Sequence, residues 1–170
     1  MKTLLAKLIG LAMDKLPKTN IKEIQDKDGN IYFRRNSFFT SDRLSIVEHE
    51  FYQDLDDPVF DKDDTLHSHP RAFISMIIDG GYVEEYITNP STPTPRLSKI
   101  NHVGSINFVN RSRYHIIKTL LKGPTFSTAY CRSLCISFKN HTDWTYLVLN
   151  NNIVELLSND EFRKRKKNLE

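Results

Sequence analysis

Short β-like runs divided by turn residues fill this chain from Ile31 to Leu149, and that rhythm limits its fold more than any other feature. Runs rich in Ile, Val, Phe, Tyr and Thr alternate with Gly, Pro, Asn and Asp, at the spacing expected of an all-β barrel or sandwich. The candidate strands are 31–39, 44–52, 66–78, 82–88, 98–103, 105–109, 114–120, 125–138 and 144–149. Asp26 to Asn30 reads as a hairpin-type turn, and Asp79-Gly80-Gly81 as the turn returning the third run into the fourth. Pro90, Pro93 and Pro95 keep the segment 89–95 out of any sheet interior. The ends have a different period. Leu5, Leu8, Ile9, Ala12 and Leu16 recur at helical spacing before Pro17, predicting an amphipathic helix within 1–18 that packs on the domain. Residues 151–170 read as a short helix and a charged tail, leaving 19–150 for the β domain.

At 170 residues and 39% hydrophobic, the chain suits one domain with an ample core. Lys+Arg exceed Asp+Glu by 24 − 21 = 3, too little to imply a nucleic-acid partner. The acidic stretch within 42–64 and the basic run Arg163 to Lys167 read as solvated segments. Cys131 and Cys135 lie four apart in a β-like run, which holds their Cα atoms about 13 Å apart and beyond disulfide reach. Free thiols point to a reducing, cytoplasmic compartment. Lys7 interrupts the N-terminal apolar stretch, and no run reaches the roughly 18 residues that a membrane span needs.

The chemistry concentrates in histidine. His67 and His69 stand one residue apart in a β-like run, so both imidazoles are expected on one face, with Cα atoms about 7 Å apart. Two imidazoles converging in this way are half of a divalent transition-metal site. His115 opens a new run after the turn 110–113 and is the best third ligand. His49 shares its parity with Val47 and Phe51, so if those face inward it is either a fourth ligand or a group supporting the ligands. His102 and His141 lie in turn-like surroundings and read as ordinary polar residues.

Taken with Gly80-Gly81, Gly104 and His115, the His67-Ser68-His69 triplet resembles the cupin superfamily. Its first motif carries H-x-H followed by Glu and Gly, and its second carries G-x5-P-x-G-x2-H. From Gly104, Asn110 stands in the proline place, Ser112 in the second glycine place and His115 in the histidine place. More closely, residues 31–146 resemble a group of single-domain cupin-like proteins of bacteria and phages. In these, an arginine-rich strand, a strand ending in histidine and an acidic loop precede an H-D-H-P-W-x-F-x-S-x-I-L-x-G-G-Y-x-E core. Arg34-Arg35, His49 and the run His67 to Glu84 follow that order, with Ser68 in place of Asp and Arg71 in place of Trp.

The resemblance implies a mostly β, cupin-like (double-stranded β-helix or jelly-roll) barrel with short N- and C-terminal helices, which pairs into a homodimer. It also implies a divalent metal held by His67, His69 and His115, with His49 in contention. Fe is the first choice, Zn, Ni or Mn the alternatives, and no metal at all the remaining option. The Glu that follows H-x-H in many cupins falls here at Phe73 or Ile74, neither of which can bind a metal. Glu84 or Glu85 is the nearest substitute carboxylate. Ser75, Tyr82, Arg71 and Glu84 are the candidate substrate-binding residues, with Tyr86, Arg34, Arg35 and Cys131 as further polar groups. Ordinary surface or core roles compete for each. Two functions follow. One is a non-haem metal dioxygenase acting on a small organic molecule, with sugar isomerase or epimerase chemistry a weaker relative of it. The other is a non-catalytic barrel that binds or sequesters a small anionic or nucleotide ligand.

Overall fold

In the computed structural model, residues 1–25, 29–53, 65–91, 95–121, 129–138, 145–150 and 153–167 are described. Helix α1 (Lys2–Met13) leads into β1 (Asn20–Gln25), β2 (Ile31–Thr40) and β3 (Leu44–Gln53). Then follow β4 (Leu66–His67), β5 (Phe73–Ile87), β6 (Leu97–His102), β7 (Ile106–Val109) and β8 (Tyr114–Leu120). The chain closes with β9 (Ala129–Phe138), β10 (Thr145–Asn150), β11 (Ile153–Ser158) and helix α2 (Asn159–Lys167). Every strand pairing among the described residues is antiparallel. One sheet runs β1-β2-β3-β9-β5 with β7 also on β5; the other runs from β5 through β8, β4 and β10 to β11, with β6 on β5. This is the expected mostly β, cupin-like barrel with a helix at each end.

The shared strand β5 makes the barrel. Its first half, from Phe73, pairs with β7 and β9, while its second half, from Tyr82, pairs with β6 and β8. The expected hairpin at Asp79-Gly80-Gly81 is therefore a corner, where one strand passes from sheet to sheet. Gly80 takes φ +63, and a Cβ there would lie 1.9 Å from the Tyr130 carbonyl oxygen. A Cβ on Gly81 would lie 2.3 Å from the Asn101 carbonyl oxygen. Both glycines serve close backbone approach, a use of Gly-Gly that resembles a turn signal in sequence. Across the two sheets, Gln53 Oε1 accepts the Leu120 amide at 2.7 Å.

Alternation along β3 and β9 separates two environments. Val47, His49 and Phe51 share a face with Cys131, Ser133 and Cys135, their partners in register. That face meets Ile77, Tyr82, Leu120 and Ala129 in the barrel core. Leu66, Ile87, Ile116 and Leu147 form a second apolar cluster with Tyr114. Their registers place them on the reverse of the strands that carry His67 and His115.

Three local expectations change. The N-terminal helix forms, but it buries Ala6, Gly10 and Met13, while Leu5 and Leu8 are 51% and 55% exposed. Small residues let the helix sit close to the sheet, which turns the leucine stripe outward. Ile153 to Ser158, expected to be helical, pairs with β10 instead. The helix begins afterwards, where Ser158 Oγ accepts the Glu161 amide and Glu161 Oε2 accepts the Ser158 amide, a reciprocal cap. Finally, β1 pairs with β2 although no strand was expected before Ile31. The acidic loop 54–64, His141 and most of the turn 26–30 lie outside the described residues.

Candidate metal centre

The run expected as one strand from Leu66 to Ile78 is broken: β4 ends at His67 and β5 starts at Phe73. His69 therefore projects from the connection, not from the strand. What keeps both rings on one side is Ser68 between them. The Ser68 amide donates to the Thr145 carbonyl at 2.9 Å, and its hydroxyl lies 2.6 Å from Thr145 Oγ1. With Ser68 pinned to β10, His67 and His69 turn the other way and their ring centroids come within 5.1 Å. His115 arrives from β8, directly across from His67 in register. One nitrogen from each of the three imidazoles lies within 4.8 Å of the others. His69 Nε2 is 2.6 Å from His115 Nε2.

The shell behind the rings is specific. Glu84 Oε1 lies 2.6 Å from His115 Nδ1 and accepts a hydrogen bond from it, so Nε2 presents its lone pair to the cluster. Burial alone would push the Glu84 carboxyl up, but the hydrogen bond from His115, the His115 and Arg113 charges and Asn101 outweigh it and keep it below the usual range. Arg113 is 3.1 Å from that carboxylate and stacks over Tyr86, its guanidinium carbon 3.9 Å from the ring centroid. Phe73, one of the two residues at the place expected of a cupin glutamate, packs edge-on against His69 with centroids 4.8 Å apart. On the other flank, Tyr146 lies beside His67 and stacks on Phe162 of α2 at 4.1 Å.

These groups fit a divalent transition metal. Burial, followed by the charge of His115, pushes the His67 pKa down to about 3. Burial and neighbouring histidines likewise hold His69 well below its ordinary value. Both rings are thus neutral donors at physiological pH, as ligation requires. Three imidazoles without a carboxylate suit Fe, Zn, Ni or Cu better than Mg or Ca. Glu84 acts behind the cluster, orienting His115.

His49 faces inward, as its parity predicted, but it is not a member of the three-histidine group. Its Nδ1 lies 3.4 Å from the Cys135 thiol, and burial together with the Arg35 charge pushes its pKa to about 3. Ser75 is buried in register with Cys135 and Asn107. Tyr82 sits deeper, among Ile77, Leu120 and Cys131, with its hydroxyl 3.4 Å from Asn107 Nδ2. Arg71 turns back to donate to Ser45 Oγ at 3.0 Å. Cys131 belongs to the apolar core, and Arg34 lies on the opposite face of β2 from Arg35, paired with Glu23 and Glu50. Sequence reading overlooked Arg113. The available signal was its parity with His115, two residues on.

The strand order and the histidine cluster together define a class: a cupin-type barrel with a site able to hold a metal ion. No protein-family model and no curated protein matches the sequence. Backbone comparison finds likenesses among solved structures. The polyketide cyclase RemF from Streptomyces resistomycificus is 16% identical, with 81% of this chain and 87% of that chain covered and a TM-score of 0.49. A cupin 2 conserved barrel domain protein from Rhodopseudomonas palustris is 11% identical, with 87% and 83% covered and a TM-score of 0.47. Hydroxypropylphosphonic acid epoxidase from S. wedmorenis is 14% identical, with 72% of this chain and 57% of that chain covered and a TM-score of 0.48. The present chain thus spans little more than half the epoxidase's length. At these identities and scores the three are likenesses of fold; the site stands on its own geometry.

Proposed function

We propose that the protein is a metal-dependent enzyme of the non-haem dioxygenase type, acting on a small organic molecule inside the barrel, with His67, His69 and His115 as the metal ligands. The single observation that carries this reading is the convergence of three imidazole nitrogens within 4.8 Å, backed by a carboxylate behind His115. Fe(II) bound there would supply coordination positions open to substrate and dioxygen. The protein's own contribution is to keep His67 and His69 neutral by burial, to fix the His115 tautomer through Glu84, and to line the approach with Phe73 and Tyr146. Zn, Ni or Mn in the same ligands would favour isomerase or other Lewis-acid chemistry over oxygen chemistry.

A barrel that binds a small anion without turning it over is the second reading, favoured by Arg35, whose buried Nε has no hydrogen-bond partner. The second copy of a homodimer would find an apolar outer surface at Ile106 and Phe108, 54% and 60% exposed, with sedimentation velocity as the check. Elemental analysis of purified protein tests the metal centre. Stoichiometric transition metal is expected, falling to background in His67→Ala and His115→Ala while the fold persists. Oxygen uptake with a small organic substrate would then separate enzyme from binder. Metal content unchanged in both variants would sink the reading.

A further inference from the structure

Arg35 carries a charge that the described structure leaves without a protein counterion. It sits on β2 directly across from His49, so it shares the inward face with His49, Val47 and Cys135. Its Nε is buried and has no hydrogen-bond partner. The nearest carboxylates along the sheet, Glu48 and Glu50, point to the other face of β3. There they engage Asn36, Lys18, Arg132 and Arg34. No ion pair joins Arg35 to any described residue. A second guanidinium approaches instead: Arg71, held from Ser45, repels Arg35 and, after burial, is the main influence lowering its pKa.

Two cations on one face of the sheet, one of them with a buried and unpartnered Nε, are unfavourable without an anion. Arg71 also links this face to the histidine cluster, since it follows His69 by two residues and Phe73 just beyond it packs on the His69 ring. Arg35 acts electrostatically on His49, and His49 in turn on His69. A guanidinium fork matches a carboxylate or phosphate in bidentate fashion, and a charge-assisted pair of that kind is the natural complement here.

We propose that Arg35, with Arg71 beside it, anchors the anionic head of the substrate, so that the ligand class is a small organic carboxylate or phosphate whose remainder reaches the three histidines. This deepens the reading of the cluster as the reaction centre and rests on it for the word substrate. Anion binding itself does not depend on a metal. Arg34, one residue away, supplies the internal control, because Glu23 and Glu50 already neutralise it on the opposite face.

The test uses the full chain, metal-loaded and chelator-treated, titrated calorimetrically and by thermal shift with inorganic phosphate and with acetate. Acetamide serves as the neutral control. At least one anion should bind and raise the melting temperature in both forms, while acetamide does nothing. Arg35→Gln should weaken that binding roughly tenfold or more, Arg35→Lys by less, and Arg34→Gln should leave it unchanged. Without anion, Arg35→Gln should melt no lower than wild type, since it removes an unpaired charge; an arginine with only a structural role would lower it. Binding that persists in His67→Ala supports the anchor even if the metal reading fails. The proposal is overturned if neither anion stabilises the wild-type protein, if Arg35→Gln binds as wild type does, or if binding requires the metal and vanishes in His67→Ala.

Discussion

The two faces of strand β3 treat charge in opposite ways. On the outer face, Glu48 is fully buried and receives Asn36 Nδ2 at 2.8 Å, Lys18 at 3.1 Å and the guanidinium of Arg132. Arg132 in turn reaches Asp14, just past α1, at 2.6 Å. Burial alone would push the Glu48 carboxyl up, but these hydrogen bonds and the Arg132 charge hold it below the usual range. On the inner face, one residue along, His49 meets the Cys135 thiol and the rings of Phe33 and Phe51, Arg35 has no described counterion, and burial lowers the pKa of both. The outer network pairs each of its charges and joins the helix to the sheet. The inner one is open. Buried polar groups that serve the fold are paired, and those left unpaired point to a partner outside the chain.

Breaking the paired face should have the largest effect. Glu48→Ala leaves Arg132 only the half-exposed Asp14 and Asn36 only the longer contact to Glu50, and a loss of about 3 kcal/mol is expected, the lower end for removing one partner of a buried ion pair. Urea denaturation should register that loss with the metal content of the folded fraction unchanged. If Glu48→Ala unfolds within 1 kcal/mol of wild type, by the usual surface-pair magnitude, the network is ornamental.

Acid separates the two faces next. His49 and His67 are held near a pKa of about 3 in the folded protein, against 6.5 in the unfolded chain. The unfolded state therefore binds more protons between these values, and stability must fall as pH drops from about 6.5 toward 3. With His69 also held well below its ordinary value, close to three protons per molecule should be taken up on unfolding near pH 5 with a chelator present, up to about a thousandfold in the folding equilibrium per pH unit. The stabilisation from the outer carboxylate is lost only as pH falls below its ordinary value of 4.5, so the window from about 6.5 to 4.5 reads the inner face alone. His49→Gln should remove about one proton from the upper window. A flat stability curve between pH 6.5 and 5 would contradict the burial of these rings.

The smallest effect sharpens the metal centre. Glu84→Gln keeps the shape but removes the charge behind His115, and metal affinity should drop about 10- to 100-fold. Competition with a chromogenic chelator measures it. Unaltered affinity would demote Glu84 to a structural acceptor.

Much of this was legible before any coordinates. Eight of the nine expected runs correspond closely to strands or parts of them, because period-two alternation and turn residues are local properties of the chain. His67, His69 and His115 could be grouped because the two segments that hold them carry a recognisable spacing. Other features depend on long-range pairing. Ile153 to Leu157 could be helix or strand, and only β10 beside it decides. Which stripe of α1 lies inward depends on the flat sheet beneath it, where Ala6 and Gly10 fit and leucines do not. In sequence Glu84 reads equally as a carboxylate for the site and as a solvent-facing residue beside a turn. It is 1% exposed because the turn is a corner, which carries the second half of β5 into the barrel wall.

By itself the sequence determined the class of the fold, its mostly β composition and the three imidazoles able to share a metal. Those follow from residue type and spacing, which need no knowledge of distant neighbours. Tertiary structure alone decided that His49 stands apart with Cys135, that Glu84 and Arg113 gather behind His115, and that Arg35 faces inward with no described counterion. The physical reason is that pairing and desolvation are properties of a place, and strands far apart in the chain build that place.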